Sequence, residues 1–297
     1  MPITATVLAN PKAERIRRTA DLTSRKTRER AGRFLIEGPQ SVREAVAHHP
    51  HVVTDLYVEA NGVTPDAAFA NPTVAKIAAR AMAAGVYVHK ATRDVIDRIS
   101  SAAQGIVAVG DLERMRGALR YEPAAGARPF VAAFWQVRDP GNAGTVIRAA
   151  DAAGCDAVVF VDDCVDMFNP KVIRSAAGSL FHLPVVTMGT DAFLDWAASH
   201  DTDVVAADVY GTEERRPESL PDVLAARRDA GAADGDAGAP ERGEAILFGN
   251  EARGLPAAIL DQTGRIVSIP LYGKTESLNL GTSAAVMLMS LAMARRA

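Results

Sequence analysis

Aromatic residues are scarce in this chain: Phe, Trp and Tyr make up 5% of 297 residues, against 48% hydrophobic residues overall. Its cores must therefore be built from Ala, Val, Leu and Ile, and there is enough of these for two domains of ordinary size. Cysteine is nearly absent. Cys155 and Cys164 stand without metal-type spacing and read as small buried apolar residues of a reduced, cytoplasmic protein. No apolar run approaches the ~20 residues of a membrane span. The opening MPITATVLANPKAERIRR lacks a charged-then-apolar signal pattern, so neither membrane insertion nor secretion is expected. Several catalytic signatures are missing too. There is no G-x-x-x-x-G-K-[ST], no H-E-x-x-H, no G-x-S-x-G and no C-x-x-C, which removes P-loop, zincin, hydrolase-elbow and thiol-redox chemistry at motif level.

A net charge of −3 argues at first against a nucleic-acid partner, but it averages over an asymmetry. Residues 1–45 hold ten Lys/Arg and five Asp/Glu, whereas residues 210–244 hold five Arg and nine Asp/Glu. A basic end on a near-neutral body is compatible with RNA binding, and equally with helices charged on their solvent side.

Residues 1–112 alternate helical and strand patterns. A basic helical segment over 10–30 is followed by strands at 33–36, 52–60, 86–90 and 105–110, with helices at 39–48, 73–84 and 91–99. This is a compact α/β domain. Residues 113–128, broken by Pro and Gly, read as a linker. A second α/β domain spans 129–297. FVAAFWQV (130–137) is a near-continuous apolar run, as expected of a strand buried on both faces. Segments 157–162, 184–188, 203–208, 245–249 and 265–269 repeat that pattern and predict a parallel sheet covered on both sides. Residues 211–243 have almost no large apolar residues after Leu224 and read as a flexible surface insertion.

Ligands of parallel sheets gather at the C-terminal ends of strands. Three such ends are unusually polar: RDPGNAGTVIRAADAAG (138–154), GNEARGLP (249–256) and PLYGKTESLNLGTSAAVMLM (270–289). Together they hold Asn142, Arg148, Asn250, Glu251, Arg253, Ser277 and Asn279, a set suited to a polar organic cofactor and an anionic partner rather than to a metal. Taken singly, each residue also has a plain structural role: Asn142 as a helix cap, Arg148 in a surface pair, Glu251 in a turn. The glycines at 141 and 144 do not form G-x-G-x-x-G, and no acidic residue is placed to hold a ribose, so a dinucleotide site is poorly supported. His182, the one histidine close to these segments, reads as a core or surface residue.

DPGNAGTVIRAADAAG (139–154), ILFGNEARGL (246–255) and IPLYGKTESLN (269–279) closely resemble the three ordered motifs of SpoU/TrmH-type RNA 2′-O-ribose methyltransferases of the SPOUT class. FNPKVIRSAAGSLFHLPV (168–185) resembles that family's segment between the first two motifs. SRKTRERAGRFLIEGPQSVREA (24–45) resembles the ribosomal-protein-like substrate-binding domain carried by many members. The resemblance implies a trefoil knot in the C-terminal domain, S-adenosylmethionine as cofactor, no metal, and a homodimer whose active site is completed across the interface. It implies that Gly249, Ile269, Leu278, Leu247 and Asn250 hold the cofactor. Arg148, Asn142, Glu251, Ser277 and Asn279 would be the catalytic set, and Arg25, Lys26, Arg28 and Arg30 the RNA grip. The implied reaction is methyl transfer to a ribose 2′-hydroxyl of RNA, ribosomal RNA first. Transfer RNA and a catalytically silent RNA-binding module are the alternatives. Arg148 is read either as a general base or as an anchor for the phosphate beside the target ribose. A guanidinium is effectively always protonated, which favours the anchor.

Overall fold

In the computed structural model, which describes residues 3–4, 6–234 and 241–296, the chain divides into two compact units. The first takes the residues up to Leu119 together with Asp166–His182; the second takes Arg120–Val165 and the chain from Leu183 on.

In the first unit, α1 (Glu14–Ala20) and α2 (Arg25–Ala31) are separated by a 3-10 turn at Asp21–Thr23, where the sequence predicts a single helical segment. Arg28 holds this break: its Nη1 donates to the carbonyls of Leu22 and Thr23, at 3.0 and 2.8 Å. There follow β1 (Arg33–Glu37), α3 (Pro39–His48), β2 (Val53–Glu59), α4 (Pro72–Ala83), β3 (Tyr87–Ala91), α5 (Arg93–Ile99), β4 (Ile106–Asp111) and α6 (Leu112–Ala118). The sheet order is β1-β4-β2-β3, antiparallel except for β2 against β3. One face buries Leu35, Tyr57, Val95, Ile96 and Val107, so alternate residues of the strands meet the apolar stripe of α5.

The second unit opens with β5 (Phe130–Trp135), α7 (Pro140–Ala153) and β6 (Ala157–Val161). The chain then supplies α8 (Pro170–Ser175) to the first unit before continuing as β7 (Val185–Met188), α9 (Thr190–Ser199), β8 (Thr202–Ala207), β9 (Glu218–Ser219), α10 (Leu220–Asp234), β10 (Gly243–Phe248), α11 (Ala257–Leu260), β11 (Arg265–Ser268) and α12 (Leu280–Ala294). Its seven strands run in the order β7-β6-β5-β10-β8-β11-β9, and every pairing is parallel. Every residue of β5, β6 and β10 is buried, which is why their sequences are continuous apolar runs rather than alternating ones.

Three features depart from the sequence reading. The domain boundary falls at Leu119, and α6 occupies the first part of the expected linker. The stretch Asp166–His182 packs with the first unit although it lies inside the second domain's sequence. Asp166 accepts from buried Arg28 at 2.5 Å, Arg174 donates to Glu37 at 2.6 Å, and the Phe168 and Phe34 rings lie 5.0 Å apart. Finally, the expected flexible insertion is structured up to Asp234. β9 pairs with β11, Leu220 and Val223 of α10 are buried, and Arg227 pairs with Glu244. The few apolar residues of the insertion precede Leu224 and lie three apart, enough to seat one helix face. The rest of that expectation, over 235–240, lies outside the described residues.

Candidate functional site

The polar loops after β5, β10 and β11 meet in the second unit. The parallel register of β5 and β10, with Phe134 opposite Phe248, brings the first two loops out side by side. After β5, Asp139 caps α7 by accepting from the backbone N–H of Asn142 at 2.8 Å. The Asn142 side chain, relieved of capping, reaches outward. Its Nδ2 donates to Glu251 Oε1 at 3.3 Å, and its Oδ1 accepts from Asn279 Nδ2 at 3.0 Å. Asn279 is also the cap of α12, where its Oδ1 accepts from the N–H of Gly281 at 2.9 Å. The first turn of α12 sits against α7: a Cβ on Gly281 would lie 2.6 Å from Thr145 Cγ2. One line of hydrogen bonds, Asn279 to Asn142 to Glu251, thus joins all three loops.

Glu251 is held from a second side. The Asn250 Nδ2 donates to the Gln136 carbonyl at 2.7 Å and lies 3.4 Å from Glu251 Oε2. The loop that carries both closes on itself through reciprocal Asn250–Gly254 backbone bonds of 3.1 and 2.9 Å. A side chain at 249 would break this closure, since a Cβ there would lie 2.4 Å from the Gly254 carbonyl carbon. Gly249 is required by close backbone approach, and Gly254, at φ +64, by its left-handed conformation.

Beside this network lies a cavity of about 420 Å³, within the range of small-molecule and cofactor sites. Gly249, Asn250, Glu251, Ile269, Ser277 and Leu278 all line it. A lining that mixes apolar side chains such as Phe248, Ile269 and Leu278 with polar ones such as Asp208 and Ser277 suits an adenosine-containing cofactor. Leu247, expected there, is not among the lining residues. It is 1% exposed and belongs to the core cluster with Val131 and Ala245, while its neighbour Phe248 faces the cavity. Successive strand side chains point to opposite faces, so only one of the two can contribute. Sequence reasoning misses the loop after β8. Asp208 and Tyr210 line the same cavity, and Asp208 Oδ1 accepts from the N–H groups of Tyr210 and Gly211, both at 2.8 Å. The signal is present in the sequence, since the strand 203–208 ends in an aspartate.

Arg148 stands apart from the cluster. It lies six residues after Asn142 on α7, about 9 Å along the axis, is exposed, and its side chain makes no hydrogen bond or ion pair among the described residues. Of the four cations expected to grip RNA, Arg25, Lys26 and Arg30 are exposed on α2. Arg28 is not available: it is 2% exposed and bound to Asp166 and two carbonyls. A guanidinium buried to this degree is out of reach of a phosphate in solvent.

Known proteins resemble this chain in sequence and fold. The model of the SpoU rRNA Methylase family matches residues 129–289, and that of the MRM3-like substrate binding domain matches residues 13–108. The chain is 30% identical to the 23S rRNA (guanosine(2553)-2′-O)-methyltransferase RlmP of Bacillus subtilis, over 96% of this chain and 98% of that one. It is 28% identical to the 23S rRNA (uridine(2479)-2′-O)-methyltransferase of Streptomyces viridochromogenes, over 90% of this chain and 85% of that one. The crystal structure of an AdoMet-bound rRNA methyltransferase from Sinorhizobium meliloti superposes with a TM-score of 0.74 at 26% identity, covering 100% of this chain and 98% of that one. With a family model spanning more than half of its length and a relative matched nearly end to end, the chain belongs to the SpoU rRNA methylase family, the RNA methyltransferases that use S-adenosylmethionine.

Proposed function

We propose that this enzyme methylates a ribose 2′-hydroxyl in large-subunit ribosomal RNA. Methyl transfer from S-adenosylmethionine to RNA comes with family membership; the choice of the 23S molecule rests on the activity of the relatives matched over most of their length. The observation that carries the site assignment is the Asn279–Asn142–Glu251 line beside the cavity.

The cofactor supplies a sulfonium-bound methyl group that is already activated for transfer. What the protein must add is position, which contributes about 7–11 kcal/mol in favourable cases. In this reading Gly249, Ile269 and Leu278 hold the cofactor, with Asn250 fixing the loop. Ser277, Asn279, Asn142 and Glu251 frame the entering ribose. Arg148, whose side chain is unengaged among the described residues, anchors the phosphate next to that ribose, and the 2′-hydroxyl proton leaves to phosphate or water. The separation of Arg148 from the cluster is accounted for if the working form is a homodimer in which a second copy completes the site. Val286, Met289 and Met293 of α12 are 38%, 38% and 61% exposed, an apolar face suited to such an interface. The knotted threading belongs to the same family-based reading, as does the use of the basic α2 region to grip RNA. Localisation to the cytoplasm fits two free thiols, with burial pushing Cys164 up to about 11 and Cys155 higher still, and no described helix long and apolar enough to cross a membrane.

The test is incubation with radiolabelled S-adenosylmethionine and, separately, 23S rRNA, 16S rRNA and bulk tRNA, followed by mapping of 2′-O-methylated positions. Incorporation confined to 23S rRNA is expected. Methylation of tRNA alone would overturn the substrate, and base methylation would overturn the reaction.

A further inference from the structure

Four of the six histidines of the chain, His48, His49, His51 and His182, lie close together in the first unit. Three side chains converge there. Glu44 and His48 are one turn apart on α3, and His182 follows the 3-10 turn Ser179–Phe181. His48 Nε2 lies 3.6 Å and His182 Nε2 3.3 Å from the same oxygen, Glu44 Oε2, and the three atoms lie within 4.8 Å of one another. The two imidazole rings meet edge to face, their centroids 4.9 Å apart.

We propose that Glu44, His48 and His182 form a Zn²⁺ site that fastens the 3-10 turn to α3 within the first unit. In a tetrahedral zinc site with bonds of about 2.0–2.1 Å, neighbouring ligand atoms lie about 3.3–3.4 Å apart. The Glu44–His182 spacing already has this value, and the Glu44–His48 spacing exceeds it by a small side-chain adjustment. The donor set of two imidazoles and one carboxylate is that of open zinc sites, with a fourth position left for water. Side-chain exposures of 51% for His48 and 30% for His182 give the ion a path in, while Glu44, at 16%, is the anchored ligand.

The surroundings prepare Glu44 for this role. Arg43 donates to its other oxygen, Oε1, at 2.7 Å, fixing the carboxylate while leaving Oε2 toward the imidazoles. Burial pushes the Glu44 carboxyl up, but hydrogen bonds from Arg43 and His182 outweigh it and hold the group below the usual carboxylate range. The close approach is built into the backbone. Gly178, at φ +103, opens the turn, and a Cβ there would lie 2.5 Å from Glu44 Cγ.

The experiment uses the full-length, untagged protein. Zn²⁺ is titrated against a chromophoric zinc chelator, and Co²⁺ is added in parallel to report coordination through its visible absorption. One Zn²⁺ per chain is expected, with tetrahedral Co²⁺ bands and no competition from Mg²⁺. His48→Ala and His182→Asn should each weaken Zn²⁺ binding at least about tenfold, and His51→Ala should leave it unchanged. Zinc should raise the melting temperature of the wild type and not that of His182→Asn. No binding in competition with the chelator, equal affinity in His48→Ala and wild type, or an equal loss in His51→Ala would each overturn the site.

Discussion

Asn279 donates from Nδ2 to Asn142 Oδ1 at 3.0 Å, across 137 residues of sequence. Each residue stands at the head of a helix, but only Asn279 is a cap; the cap of α7 is Asp139. The two asparagines therefore separate a structural duty from a site duty, and substitution can tell them apart. Asn279→Ala should cost about 1 kcal/mol of stability through removal of the cap and should also lower methyl transfer. Asn142→Ala should leave stability within about 0.5 kcal/mol and still lower methyl transfer. Urea unfolding and initial rates, combined in a double-mutant cycle, would measure this. Additive effects on rate would mean that the Asn279–Asn142 hydrogen bond does not matter in the working site.

Arg148→Ala should reduce methyl transfer about 10²-fold or more, since loss of substrate positioning has that scale. Cofactor affinity should stay within a few fold, because Arg148 is absent from the cavity walls. Calorimetric titration with S-adenosylmethionine beside a rate measurement decides the matter. A large fall in cofactor affinity would place Arg148 in the cofactor site instead.

Asp166→Ala should strand a guanidinium that is 2% exposed. Removing one partner of a buried ion pair costs about 3–5 kcal/mol, and the lower end is expected here because the Asp166 side chain keeps 14% exposure. Replacing both residues together, as Arg28→Met with Asp166→Leu, should recover much of the loss. Equal stability of wild type and Asp166→Ala in denaturant titration would show that the pair does not hold Asp166–His182 in the first unit.

Changing Arg25, Lys26 and Arg30 together to Ala should weaken RNA binding and flatten its salt dependence. For every phosphate that is no longer neutralised, the slope of log affinity against log salt falls by about 0.7–0.9, depending on whether the RNA is single- or double-stranded. The buried Arg28 is left intact so that folding is not confounded. Affinity measured across several salt concentrations should give shallower plots for the triple variant, with cofactor binding unchanged. Parallel plots of equal affinity would remove the α2 region from the RNA interface.

Much of this molecule is written locally. The apolar runs at 130–137, 157–162 and 245–249 specify strands covered on both faces, and their sequence spacing specifies parallel crossovers. Polar clusters at the strand ends mark the site, because a polar loop between a buried strand and an apolar helix calls for partners beyond one cap. The tertiary structure decided what depended on distant partners. A seven-residue helix with cations on several faces does not say which one turns inward, and Asp166, 138 positions away, selected Arg28. In a strand buried on both faces hydrophobicity has no period, so sequence could not say that Phe248 rather than Leu247 meets the cavity. The transfer of Asp166–His182 to the first unit has the same cause. Its composition fits either unit, and partners more than 130 residues earlier in the chain, Arg28, Glu37 and Phe34 among them, determine where it packs.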